Sequence, residues 1–252
     1  MLDFVLSLQV QNNHNMKKNI ELLEPDRIYH IYNRGINGEN IFKEERNYRY
    51  FLEKYAKYVE PIADTFAYCL LKNHFHIAIR TKSEAEIVDF YVKKKTKIIE
   101  GAAANNVATI NAGWVQNPAC VEKPTEIKML SASLIISKQF SDFFNSYAQS
   151  INKAHSRTGR LFEEPFRRIL IDSDAYFTEL IYYIHHNPQK HGFVKDFRAY
   201  PHSSYHSHLS QAMTRLRREE VWDWFGNRDE FEKFHIGNLG LNNLDKFIIE
   251  FD

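Results

Sequence analysis

The sequence carries almost no excess of charge: 33 Lys and Arg stand against 32 Asp and Glu, for a formal net charge of +1. That balance excludes a protein that coats nucleic acid by bulk charge, so any polyanion-binding surface must come from local segregation. Cysteine is nearly missing. Cys69 and Cys120, the two present, lie far apart and form neither a disulfide framework nor zinc-ribbon spacing. No run approaches the ~18 consecutive apolar residues of a membrane-spanning helix. The start of the chain lacks a basic stretch followed by a long apolar one. The expectations are therefore no membrane partner and a reducing, cytoplasmic setting. There is no Walker-type glycine loop to cradle a nucleotide, no internal repeat, and no His-Glu-x-x-His pair of the sort a zinc hydrolase uses.

What is present is apolar and aromatic. Hydrophobic residues make up 44% of the 252 positions, enough for a substantial core, and Phe (19) and Tyr (14) dominate the aromatics. Aromatics fill cores, and they also stack on unpaired bases. Basic residues gather at Lys93, Lys94, Lys95 and Lys97, at Arg157, Arg160, Arg167 and Arg168, and at Arg215, Arg217 and Arg218. Such runs are commonly solvated faces, and they are also the raw material of a phosphate-binding surface.

The pattern along the chain alternates strands and helices. Residues 1–24 read as a polar extension, rich in Asn through Asn19. Ile28 to Tyr32 reads as a strand broken by Asn33-Arg34-Gly35, and Asn47 to Tyr58 as a helix closed by Pro61. Ala63 to Leu71 and Phe75 to Ile79 read as antiparallel neighbours. Residues 83–128 read as a polar, peripheral insertion with partial helix. Leu130 to Ala154 is helical in pattern, Leu161 to Ile171 reads as a hairpin or paired strand, and Asp172-Ser173 caps a helix from about Asp174 to His186 that Pro188 stops. The main domain spans 25–210 and a helical tail 211–252, whose Trp222, Trp224 and Phe225 read as packing residues. The fold class expected is α+β, an antiparallel sheet flanked by helices.

Two constellations carry chemistry. In His74-Phe75-His76, strand alternation turns both imidazoles to one face and Phe75 to the other. Two histidines projecting together are half a site for a divalent metal, and they also read as ordinary strand histidines. Tyr183 and Asn187 are one helical turn apart and share a face. A tyrosine hydroxyl, with an ordinary pKa near 10, needs a metal to polarise the phosphate it attacks or a base to take its proton. A neighbouring amide oxygen is suited to hold that metal. Taken alone, the same pair reads equally as a packed tyrosine and a helix-ending asparagine.

In order along the chain, Tyr29-His30-Ile31-Tyr32-Asn33-Arg34-Gly35, Asn73-His74-Phe75-His76, Asn152 through Gly159-Arg160-Leu161-Phe162, Tyr183-Ile184-His185-His186-Asn187-Pro188 and His191-Gly192-Phe193-Val194 resemble the REP-associated tyrosine transposases, within the single-tyrosine HUH transposases. The match covers about residues 25–210. Lys72 stands where the family often has proline. The resemblance implies an HUH endonuclease with a ferredoxin-like core that cleaves and rejoins single-stranded DNA through a covalent 5′-phosphotyrosine, recognising hairpin DNA, in DNA transposition. It implies His74, His76 and Asn187 as ligands of Mg²⁺ or Mn²⁺ and Tyr183 as nucleophile. Tyr182 and Tyr147 also compete for that role, but only Tyr183 has the Asn one turn ahead. Arg157, Arg160, Arg167 and Arg168 become candidates for phosphate contacts. Monomer and homodimer are both left open. The alternative is a domesticated DNA-binding regulator with little cleavage activity. A replication initiator or relaxase shares the chemistry but usually carries a large further attachment.

Overall fold

The computed structural model describes residues 22–111 and 130–237, with the backbone alone over 101–111. Most of the polar N-terminal extension, the insertion's second half with Cys120, and residues 238–252 lie outside the described residues. The strands are β1 (Ile28–Arg34), β2 (Ala63–Leu70), β3 (His74–Thr81) and β4 (Arg167–Ile171). The helices are α1 (Glu45–Tyr58), α2 (Glu84–Asn111), α3 (Ala132–Ala154), α4 (Asp174–Lys190), α5 (Tyr205–Leu209), α6 (Arg218–Phe225) and α7 (Arg228–Gly237). The strands form one sheet in the order β2-β3-β1-β4, every neighbouring pair antiparallel. With α2 and α3 sharing the second crossover, the chain follows a β-α-β-β-α-β path with the first and third strands central, the ferredoxin-like arrangement. The α+β class expected from the sequence is the one the chain adopts.

Strand alternation sends apolar side chains to both faces of the sheet and so demands two covers. On one face, α1, the start of α2, and α3 pack over Tyr29, Ile31, Phe75, Ile77 and Ile79. Phe51 sits at the centre of this layer. Its ring lies 4.9–5.2 Å from those of Phe42, Phe75, Phe143 and Tyr147. On the other face, α4 lies over β2 and β3 with Phe177, Leu180, Ile181 and Ile184. The tail completes this second layer: Val221 and Phe231 are fully buried in it, and Trp222, Trp224 and Phe225 pack against it. The Trp224 ring stands 4.5 Å from Phe177, so these aromatics serve the core as the sequence suggested.

Four local expectations are corrected. The segment from residue 83 is not peripheral at its start: Ile87 and Tyr91 of α2 are buried in the first core. The break after β1 falls at Gly35, since Asn33 and Arg34 stay in the strand. A side chain at Gly35 would meet the Glu39 carbonyl oxygen at 2.0 Å, so only glycine fits there. Pro188 does not stop α4, which runs on to Lys190. A proline there has no amide to give the Ile184 carbonyl, yet Gln189 and Lys190 still follow it in the helix. Its carbonyl meanwhile accepts from the Phe193 and Val194 amides at 2.8 and 3.3 Å. Between Leu161 and Ile171 only Arg167–Ile171 forms a strand, paired with β1, while Phe162 makes a single bridge to Gly35.

Candidate active site

The site forms where β3 enters the sheet. His74 and His76 face α4, and Phe75 between them is buried on the opposite side against Phe51. The two imidazoles stand edge to face with centroids 5.2 Å apart. Each ring is anchored through its Nδ1 atom. His74 Nδ1 lies 2.8 Å from Asn73 Oδ1, an acceptor, so this nitrogen carries the proton. His76 Nδ1 lies 2.9 Å from Nε2 of His30, which projects from β1 on the same face. Anchoring of Nδ1 is the arrangement that presents Nε2 to a metal.

Helix α4 supplies the other half. Ser173 caps its start, accepting from the Tyr176 amide at 3.4 Å. Successive helical residues are turned by about 100°, so Tyr182 and Tyr183 go to different neighbours. Tyr183 meets the sheet histidines, its ring edge to face with His76 at 5.4 Å and His30 at 6.0 Å. Tyr182 stacks on His186 at 3.8 Å and meets Phe234 of the tail at 5.9 Å. Tyr147 lies in the other core and donates its hydroxyl to the Ile41 carbonyl at 2.9 Å. Asn187 is fully buried one turn beyond Tyr183 and donates its Nδ2 to the Tyr183 carbonyl at 3.2 Å, which orients the amide. His185 and His186 point elsewhere. His185 bonds His235 and Ser204 at 2.9 and 2.8 Å, and His186 bonds the Tyr182 carbonyl at 3.1 Å.

The electrostatics suit a cation ligand set. Burial lowers the His74 pKa to about 3, with the neighbouring His191 adding to the drop and the Asn187 side chain opposing it. Burial, then His30, His74, His191 and Lys190, hold His76 well below the ordinary histidine range. Both rings are neutral at neutral pH, the form that donates a lone pair. His76 Nε2 and Asn187 Oδ1 are buried with no hydrogen-bond partner among the described residues. Buried polar atoms are rarely left so, and each such atom calls for a ligand or water. The residues present therefore fit a divalent cation held by two imidazoles and an amide oxygen. Among the described residues no group of three or more His, Cys, Asp or Glu side chains is arranged to hold a metal. The site opens to solvent at exposed Lys190 and His191. The Lys190 ammonium sits 5.5 Å from the Tyr183 ring centre, and the His191 ring 5.0 Å from His74.

The four arginines separate. Arg167 pairs opposite Tyr32 and hydrogen-bonds its hydroxyl, on the face that carries His30 and His76. Arg168 points to the other face, its guanidinium 3.9 Å over the Phe166 ring. Arg160 is exposed and lies 3.4 Å from Glu164. Arg168 and Arg160 line a cavity of about 470 Å³ along α3 with Asn145 and Gln149. Arg157 is mostly buried and tied to Glu39 and, at 2.6 Å, to Asn152. Sequence reasoning assigned no role to His30, Lys190 or His191. The signal for His30 was its alternation with Tyr32 on β1, legible only once the pairing of β1 with β3 is known.

No family model matches this chain, and no curated protein matches it. One similar solved structure is that of a REP-associated tyrosine transposase bound to a REP hairpin, with 11% sequence identity and a TM-score of 0.49 over 78% of this chain and 87% of that one. A likeness of that strength says nothing about chemistry. Among the described residues no helix is long and apolar enough to cross a membrane.

Proposed function

We propose that the chain is a metal-dependent transesterase of single-stranded DNA, which cleaves and rejoins strands through a 5′-phosphotyrosine on Tyr183 and acts on hairpin DNA in transposition. The observation that carries this reading is the meeting of Tyr183 and Asn187 from α4 with His74 and His76 from β3, with buried, unpartnered ligand atoms on His76 and Asn187. The hairpin and transposition parts rest on the ordered motifs that resemble the REP-associated transposases.

His74, His76 and Asn187 would hold Mg²⁺ or Mn²⁺. When bound, the cation supplies charge neutralisation at a nonbridging phosphate oxygen. The Tyr183 oxygen attacks phosphorus in line. An O–P bond to tyrosine forms, and the bond from phosphorus to the 3′-oxygen of the preceding nucleotide breaks. The phenolic proton leaves, and the departing 3′-oxygen takes one up. Attack by a free 3′-hydroxyl reverses these events and rejoins a strand, so the bond energy is conserved and no nucleotide is consumed. His74 and His76 stay neutral throughout, Asn187 is held by the Tyr183 carbonyl, and Lys190 at the mouth offers positive charge to the strand.

The test is a covalent-adduct assay with labelled single-stranded hairpin DNAs, Mg²⁺ or Mn²⁺, and His76→Ala as control. The reading expects a denaturation-resistant protein–DNA species that needs the cation and is lost in the variant. Hairpin binding without any adduct in the wild type would contradict it and favour a DNA-binding regulator.

A further inference from the structure

His30 is a fully buried histidine on the central strand, and nothing in the reaction as written uses it. It lies opposite Ala78 in the β1–β3 register, while Tyr32 lies opposite His76, so His30 and His76 are diagonal neighbours on one face. The small Ala78 side chain leaves His30 room to reach along the sheet. Its ring stacks on Tyr32 at 4.8 Å and on His76 at 5.1 Å, and its Nε2 meets His76 Nδ1 at 2.9 Å.

A neutral imidazole is a donor at one nitrogen and an acceptor at the other. The contact between two such rings therefore contains one proton, with two arrangements. If His30 donates, His76 keeps its own proton on Nε2 and has no lone pair there. If His76 donates from Nδ1, its Nε2 becomes a lone pair aimed at the space shared with Asn187. His30 then holds its own proton on Nδ1, an atom buried with no partner among the described residues. Each arrangement leaves one buried N–H unsatisfied, so the hydrogen-bond count does not choose between them, and a cation at Nε2 does.

We infer that His30 is a positioning residue: it accepts the Nδ1 proton of His76 and so fixes His76 in the tautomer whose Nε2 binds a divalent cation. This rests on the metal-binding reading above and adds a residue and a role to it. The relation is that of a ligand histidine to the outer partner that fixes its tautomer, with a histidine where a carboxylate or carbonyl is usual. A carboxylate in this apolar layer would bring a buried charge; an imidazole acceptor brings none.

The test uses Mn²⁺ titration of the folded wild type, His30→Phe and His30→Gln, with thermal unfolding as a folding check. Phenylalanine keeps a ring against Tyr32 and removes the acceptor; glutamine restores an acceptor oxygen. The expected result is a roughly 10- to 100-fold weaker Mn²⁺ affinity in His30→Phe, largely recovered in His30→Gln. A long-range ¹H–¹⁵N spectrum of the Mg²⁺-loaded wild type should place the His76 proton on Nδ1. Folded His30→Phe with wild-type affinity, or a His76 proton on Nε2 in the loaded protein, would overturn the role of His30 alone. A wild type that binds no Mn²⁺ would overturn the metal reading and this inference together.

Discussion

Tyr183 and His76 come from elements far apart in the chain, yet their rings stand edge to face with centroids 5.4 Å apart in the second core. The contact exists because β3 is an inner strand of the sheet and α4 crosses it directly. Asn187, one turn further on, is brought over the same strand. The proposed nucleophile and the candidate metal site are thus held by the packing of one helix on one sheet, not by a loop.

Asn187 supplies the only oxygen in the proposed ligand set. Asn187→Ala is expected to weaken Mn²⁺ binding by roughly tenfold or more, whereas Asn187→Asp, which keeps an oxygen and adds a charge, should retain binding. Chelation with EDTA should abolish strand cleavage in the wild type, and added Mn²⁺ should restore it. Isothermal titration and a cleavage assay check both outcomes.

The arginines should divide in the same way as their surroundings. Arg167, beside Tyr32 on the histidine face, is expected to contact a phosphate. Arg167→Ala should then weaken single-stranded DNA binding and lower the salt slope by roughly 0.7–1. Arg157 is committed to Glu39 and Asn152, so Arg157→Ala should leave the salt slope unchanged and lower thermal stability. Binding measured across a series of salt concentrations distinguishes the two.

Phe51 is fully buried among four aromatic rings. Phe51→Ala should destabilise the fold by about 3–5 kcal/mol through lost burial and the cavity left behind. Because Phe75 backs the histidine strand, the loss should also loosen the site. Denaturant unfolding of the variant measures the first effect.

Acid should destabilise the fold through its buried histidines, those packed between α4 and the tail included. Burial lowers the pKa of His208 to about 4 and of His235 to about 3, from an ordinary 6.5. The unfolded chain binds these protons more readily, so stability is full above about pH 6.5 and falls as the pH drops toward 4. Each residue contributes a slope of about 1.4 kcal/mol per pH unit within that window. Thermal melts at pH 7.5 and 5.5 should show the drop, and His235→Phe should make it shallower.

Much of this was legible in the sequence because its signals are local. Alternation in His74-Phe75-His76 gave the shared face of the histidines, and four-residue spacing gave the shared face of Tyr183 and Asn187. Ser173 announced the start of α4. What was hidden depends on long-range pairing. His30 acquires its partner only through the register of β1 against β3, and Ile87 and Tyr91 enter the core only because α2 packs on α3. Pro188 misled because a proline weakens a helix without fixing its last residue, and Gln189 and Lys190 follow it in α4. Arg157 looked like its basic neighbours until Glu39, distant in sequence, was seen to hold it.

Everything proposed for this site turns on Tyr183 being the residue joined to DNA. The most direct measurement is tandem mass spectrometry of the protease-digested adduct formed with a labelled hairpin and Mn²⁺, alongside Tyr183→Phe and Tyr182→Phe. A phosphonucleotide is expected on Tyr183, with no adduct in Tyr183→Phe and a retained adduct in Tyr182→Phe. A nucleotide mapped to Tyr182 or Tyr147, or an undiminished adduct in Tyr183→Phe, would contradict that role for Tyr183.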